Sequence, residues 1–335
     1  MEPKIVVPQG DLGGIAPEVL LHSLARPALR RSCRPLVLGH HRALKNVASA
    51  MDLDIELVPV ASAKEGFEIE PDGAVPVLEL EAEIPNDPPG RAAASFGMAS
   101  VEAVLRGASL CLEGSAHAMA TPPIHKESVH LAGYPFEGQT QMLGEACRSR
   151  RYGMLACGGD LRVLVATRHM ALREALQKLD PQFVAKQIRL AHEAARNTLG
   201  IAEPRIALAG LNPHAGEGGA FGDEETRILE PAIAMAKEQW GYETSGPEVP
   251  DVVFSQGTRG EWDIVVALYH DQAFLPLKML PRETAYTVFV GGEIRRTSPM
   301  HGAAYDIART GKADPEPFAF SLERAIELGA RFQPA

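Results

Sequence analysis

The amino-acid sequence predicts an α/β layered fold, and three observations carry that expectation. Short apolar, β-branched runs alternate with longer stretches whose apolar residues recur at helical spacing. The short runs are apolar on both faces, as in parallel strands covered by helices on each side. With 335 residues, 45% of them hydrophobic and 23% charged, the chain can form two domains or one large α/β unit.

Taken in order, the runs at 5–7, 35–38, 116–120, 162–166, 205–209 and 263–268 read as strands. Stretches at 92–112, 180–199, 224–240 and 317–329 read as helices; the second opens with Asp180 and Pro181, an N-cap followed by proline in the first turn. Residues 62–89 and 241–250 break the rhythm and read as loops carrying at most a short edge strand. A division of the chain is expected near 121–138, where paired prolines follow a strand.

Composition narrows the function. A net charge of −10 argues against a nucleic-acid binder, which needs clustered Lys and Arg to displace counterions. Cys33, Cys111, Cys147 and Cys157 form no CxxC pair and are too sparse for a disulfide framework, so they read as reduced core thiols. No apolar run approaches the ~18 residues of a membrane span, and the first residues lack the basic and apolar regions of a signal peptide. A cytoplasmic protein without membrane contact is expected.

Four places carry chemistry. Residues 8–18 follow the first strand with glycines at 10, 13 and 14, which is not the GxGxxG of a dinucleotide fold. The segment is either an anion-cradling loop or a tight βα turn with no ligand. His169, His214 and His270 each follow a strand-like run, and ligands of parallel α/β sheets bind outside the carboxyl ends of the strands. Three imidazoles delivered there can hold a divalent metal with positions left for substrate. His214 sits in the loop LNPHAGEGG, and Asp271 beside His270 can ligate, orient or act as a base. Gly138-Gln139-Thr140, Lys278 and Arg295-Arg296-Thr297-Ser298 offer cations and hydroxyls suited to a carboxylate or phosphate.

Together these motifs resemble the 4-hydroxythreonine-4-phosphate dehydrogenase family of pyridoxal phosphate biosynthesis. LNPHAGEGG at 211–219, YHDQ at 269–272, RTSPMHGAAYDIA at 296–308, GKAD at 311–314 and AGYPFEG at 132–138 carry the likeness over most of the chain. The resemblance implies an isopropylmalate-dehydrogenase-like α/β/α fold with two subdomains and a central cleft, drawn here as 1–125 plus 300–335 and 126–299. It implies a homodimer with a shared active site, a bound divalent ion (Zn, Mg, Mn or Co) and NAD or NADP. By motif, His169, His214 and His270 resemble the metal ligands. Asp251 and Asp271 resemble carboxylates at the reacting end, Lys278 and Arg296 contacts to an anionic small-molecule substrate, and Thr140 a substrate hydrogen-bonding residue.

The implied reaction oxidises the secondary alcohol of a β-hydroxy acid, which then loses carbon dioxide. The first substrate to expect is 4-phosphooxy-L-threonine, giving 3-amino-2-oxopropyl phosphate. The chain departs from the family where substrate is met: Gln139 replaces the His of GHT, Thr287 replaces an Asn, and Gly291-Gly292-Glu293 replaces an apolar turn. Gln139 and Thr287 would tune which group is accepted. These changes keep open a catabolic relative acting on a four-carbon sugar-acid 4-phosphate or on terephthalate cis-dihydrodiol. A non-catalytic ligand-binding protein of the same fold is the alternative of another class; the three His and two Asp speak against it.

Overall fold

Apolar runs become strands here because branched side chains pack well on a pleated surface buried on both faces. In the computed structural model, which describes residues 2–168 and 170–331, the chain begins with β1 (Lys4–Pro8), α1 (Ala16–Leu24), α2 (Pro27–Arg31), β2 (Arg34–Leu38), α3 (His41–Ala50), β3 (Leu57–Val60), α4 (Ala63–Glu68) and β4 (Val75–Leu78). It continues with α5 (Ala94–Leu112), β5 (Ala118–Ala120), α6 (Lys126–Leu131), α7 (Gln139–Ala146), β6 (Gly153–Gly158), β7 (Leu161–Val165), α8 (Leu172–Lys178) and α9 (Pro181–Glu193). Then follow β8 (Ile206–Ala209), α10 (Glu230–Trp240), β9 (Thr244–Glu248), α11 (Pro250–Thr258), β10 (Ile264–Ala267), α12 (His270–Lys278), β11 (Ala285–Val290), β12 (Arg296–Pro299) and α13 (Glu316–Ala330). The expected α/β class is the one observed.

Two compact units divide the chain: Met1–Arg150 with Gly292–Ala335, and Arg151–Gly291. The division falls later than the prolines at 122–123, because α6 and α7 pack on α5 and stay with the first unit.

In the first unit the strands run β3-β4-β2-β1-β5-β12, all parallel. Ile5, Val7, Val37, Val77, Ala118 and Ala120 share one core with Leu20, Leu24, Phe318 and Leu322 of α1 and α13. On the opposite face Gly107 lets α5 approach Leu38, Pro8 and Met119, where a Cβ would stand 3.0 Å from the Met119 side chain.

The reading of 62–89 as loop is corrected here, since α4 and β4 both lie in it. Ser62 caps α4 by accepting from the Glu65 amide at 3.2 Å, while Glu65 Oε2 accepts from the Ala61 amide at 2.9 Å, a variant of the capping box. Proline is disfavoured in a central strand, because it lacks a ladder N–H. Yet β4 lies between β3 and β2 with Val75, Pro76, Val77 and Leu78 all buried, and apolar burial outweighs the missing N–H.

In the second unit the order is β11-β6-β7-β10-β8-β9. The β11-β6 and β6-β7 pairs are antiparallel and the rest parallel. The short edge strand allowed within 241–250 is β9. Asp180 caps α9 as expected, its Oδ1 accepting from the Phe183 amide at 2.8 Å. The four cysteines are free; burial pushes the Cys33, Cys111 and Cys157 thiols up to about 12, which keeps them unreactive.

Candidate active site

In the second unit, β7, β10 and β8 are neighbours and parallel, so their carboxyl ends open side by side. Position 169 follows β7, His270 follows β10 and His214 follows β8. His169 itself lies outside the described residues. Side chains tie these strand ends together. Thr167 Oγ1 donates to the Leu268 carbonyl at 2.7 Å, joining the end of β7 to that of β10. Gln272 Oε1 accepts from the Leu268 amide and Gln272 Nε2 donates to the Gly210 carbonyl, each at 2.7 Å, joining β10 to β8. Gln272 was legible only as the last letter of YHDQ; its role needed the neighbouring strand.

His270 opens α12, with its Nδ1 2.7 Å from Asp271 Oδ1 and its ring stacked on Phe274. A carboxylate on Nδ1 fixes the orientation of the ring. Of the three roles open to Asp271, the geometry favours orientation. A cavity of about 230 Å³ is lined by Thr167, Arg168, Met170, Tyr269, His270 and Asp271, flanking position 169.

His214 is exposed on a loop of unusual backbone: His214, Ala215, Gly216, Glu217 and Gly218 all have positive φ, from 43° to 80°. Such conformations are costly for His214, Ala215 and Glu217 and persist only when their surroundings enforce them. Glu225, which sequence reasoning did not single out, ties down the start of this loop. Its buried carboxylate accepts from the Leu211 amide at 2.8 Å, the Asn212 amide at 2.7 Å and Asn212 Nδ2 at 2.8 Å. Burial would raise the Glu225 carboxyl, but these donors prevail and hold it below the usual range.

The remaining residues expected in this unit are spread out. Asp251 is exposed in the first turn of α11, and Lys278 is exposed at the far end of α12, about 12 Å along the helix from His270. Thr287 is buried in β11 opposite Ala156 of β6. Among the described residues no three His, Cys, Asp or Glu side chains stand close enough to hold a metal. The donors nevertheless suit a borderline divalent ion: imidazoles at adjacent strand ends, one already oriented through Nδ1.

In the first unit, β5 and β12 bring Arg296 beside Thr121. Arg296 Nε donates to Thr121 Oγ1 at 2.6 Å and Nη2 donates to Gln139 Oε1 at 2.6 Å. Gln139 Nε2 in turn donates to the Pro122 carbonyl at 2.8 Å. Arg296 is 3% exposed and Gln139 7%. Burial, with no neighbouring charge to offset it, pushes the Arg296 guanidinium down to about 9. Thr140, next in α7, is half-buried.

The loop at 8–18 is buried throughout and has the hydrogen bonding of a tight βα turn. Four of its amides are committed internally: Asp11 N to Pro123 O, Gly13 N to Asp11 Oδ1, Gly14 N to Asp11 O and Ile15 N to Ala303 O. Asp11 Oδ2 accepts from the Tyr305 hydroxyl at 2.8 Å, and Arg309 Nη2 donates to the Leu12 carbonyl at 2.7 Å. Among these amides none is left for an anion.

Comparison with known proteins points to one family. The family model described as pyridoxal phosphate biosynthetic protein PdxA matches residues 31–328. A 4-hydroxythreonine-4-phosphate dehydrogenase of Trichlorobacter lovleyi is 38% identical over 332 residues, covering 98% of each chain. A D-threonate 4-phosphate dehydrogenase of Salmonella typhimurium is 39% identical over 332 residues, covering 98% of this chain and 100% of that one. Among solved structures, a 4-hydroxythreonine-4-phosphate dehydrogenase from Klebsiella pneumoniae superposes with a TM-score of 0.90 at 37% identity, covering 98% of each chain.

Proposed function

Because the chain belongs to the family of pyridoxal phosphate biosynthetic protein PdxA, we propose that it is a dehydrogenase that oxidises and decarboxylates a phosphorylated four-carbon β-hydroxy acid. The first substrate is 4-phosphooxy-L-threonine, converted to 3-amino-2-oxopropyl phosphate. D-threonate 4-phosphate is the second reading, favoured by the Salmonella relative named for it. The observation that carries the proposal is the set of three neighbouring parallel strands whose carboxyl ends lead to position 169, His270 and His214.

His169, His214 and His270 would hold the divalent ion (Zn, Mg, Mn or Co). When bound, that ion supplies Lewis acidity at the reacting oxygen, and NAD or NADP accepts the hydride. The chain's own residues do the positioning. Asp271 keeps His270 turned, Gln272 and Thr167 keep the strand ends in register, and Glu225 holds the His214 loop. Asp251 is the carboxylate left to move a proton, since Asp271 already faces an imidazole. The substrate's anionic end is assigned to Arg296 and Lys278, with Thr140 and Thr287 as further substrate contacts. A homodimer completing the site is supported by Leu172 and Leu176 of α8 and Leu275 and Met279 of α12, all exposed. A cytoplasmic setting accords with a biosynthetic role, and among the described residues no helix is long and apolar enough to cross a membrane.

The test is cofactor reduction with 4-phosphooxy-L-threonine, D-threonate 4-phosphate and their unphosphorylated forms, each with NAD and with NADP. Turnover of a phosphorylated substrate only, lost on chelation and restored by one of the four ions, is expected. No turnover of either phosphorylated compound with all four ions supplied would defeat the proposal.

A further inference from the structure

Arg296 combines deep burial with partners that carry no charge. Thr121 Oγ1 and Gln139 Oε1 are its hydrogen-bond acceptors, and among the described residues no carboxylate pairs with it. Nη1 and the second hydrogen of Nη2 have no acceptor there. Buried guanidinium groups are ordinarily paired, because an uncompensated charge removed from water is expensive. Other buried or half-buried arginines of the chain follow that rule: Arg309 lies against Glu18, and Arg34 against Glu2. Gln139 is equally committed, since its amide nitrogen is held by Pro122 O while its oxygen faces the arginine. A neutral amide in that place fixes the direction of the guanidinium without cancelling its charge.

We propose that Gln139 and Thr121 are positioning residues that hold Arg296 oriented but uncompensated, keeping its Nη1 edge for the substrate's phosphate, and that Gln139 itself does not touch substrate. The inference rests on the dehydrogenase reading and deepens it: acceptance of a phosphorylated substrate depends on the neutrality of residue 139 and not on its reach. It replaces the expectation that Gln139 selects substrate by direct contact.

Gln139→Glu tests this, because it keeps the shape and supplies the missing counter-charge. The expected enzyme melts at or above the wild-type temperature in phosphate-free buffer, has a KM for the phosphorylated hydroxy acid raised tenfold or more, and keeps kcat within about threefold. Protection of the wild type by inorganic phosphate in a melting experiment should vanish in the variant. Gln139→His is the conservative control. A neutral imidazole can also donate from one nitrogen and accept at the other, so KM should match wild type well above the ring's pKa of about 6.5 and rise below it, where both nitrogens carry hydrogen. Unchanged KM and phosphate protection in Gln139→Glu would overturn the inference, as would a Gln139→His enzyme whose KM ignores pH. Should the wild type turn over no phosphorylated acid, the functional reading falls, while phosphate protection and its loss in Gln139→Glu still decide the role of residue 139.

Discussion

A single carboxylate, Glu225, ties down the start of the loop that presents His214. Two of its three accepted hydrogen bonds come from the Leu211 and Asn212 amides, and the third from Asn212 Nδ2, which also donates to Glu224, so changing it costs the two amides their acceptor. Glu225→Gln keeps one acceptor oxygen but turns an amide NH2 toward the Asn212 Nδ2 donor, and should destabilise the protein by about 1–3 kcal/mol in urea unfolding at neutral pH. The sign of the pH effect follows from the depressed carboxyl. Stability from Glu225 is present above the unfolded value, about 4.3, and is lost as pH falls through the lower folded value. Between pH 5 and 3 the wild type should therefore lose more stability than Glu225→Gln; parallel loss in both would contradict this account. The histidine was legible because LNPHAGEGG is a conspicuous string, whereas the glutamate that shapes it follows at a distance that no spacing rule names. Arg296 and Gln139 show the same limit: their residue types suggested an anion, but their mutual hydrogen bond depends on β5 lying beside β12.

Among the elements, the parallel strands that carry the site were the easiest to read. β7, β8 and β10 are short apolar runs buried almost throughout, bounded by turns, which suits parallel strands covered on both faces. β12 was missed as a strand because Arg296, Thr297, Ser298 and Pro299 are polar or imino residues, buried only because their polar groups find partners inside the unit. The turn at 8–18 could not be settled from sequence, since Tyr305 and Arg309, which close it, come from the other end of the chain. Register between β8 and β10 beyond their last pairs depends on Gln272. Gln272→Leu would remove both of its bonds and leave the Leu268 amide and Gly210 carbonyl unpaired. We expect a loss of about 2–4 kcal/mol in stability and a 10–100-fold weaker hold on a divalent ion, read by competition with a chromophoric chelator. Wild-type metal affinity in a folded Gln272→Leu protein would show that the two strand ends need no such tie.

At the scale of the whole molecule, composition and the β/α rhythm sufficed for the class, while the limits of the two units did not announce themselves. The chain passes into the second unit at Arg151 and out at Gly291. Those two positions touch: Gly291 has a φ of +85°, and a Cβ there would stand 2.1 Å from the Arg151 carbonyl oxygen. Just inside them, Gly153 pairs with Val290 across β6 and β11. A segment whose ends meet in this way is topologically an insert, threaded into its host through a single gate. Residues 151–291 should accordingly tolerate excision and closure by a few flexible residues, giving a ring-like module with the order β11-β6-β7-β10-β8-β9 intact. A cooperative melt and native-like circular dichroism from that fragment would bear this out; an unfolded fragment would mean that the host supplies part of its core. The same closeness means that cutting the segment out leaves no span of chain to be bridged between residues 151 and 291.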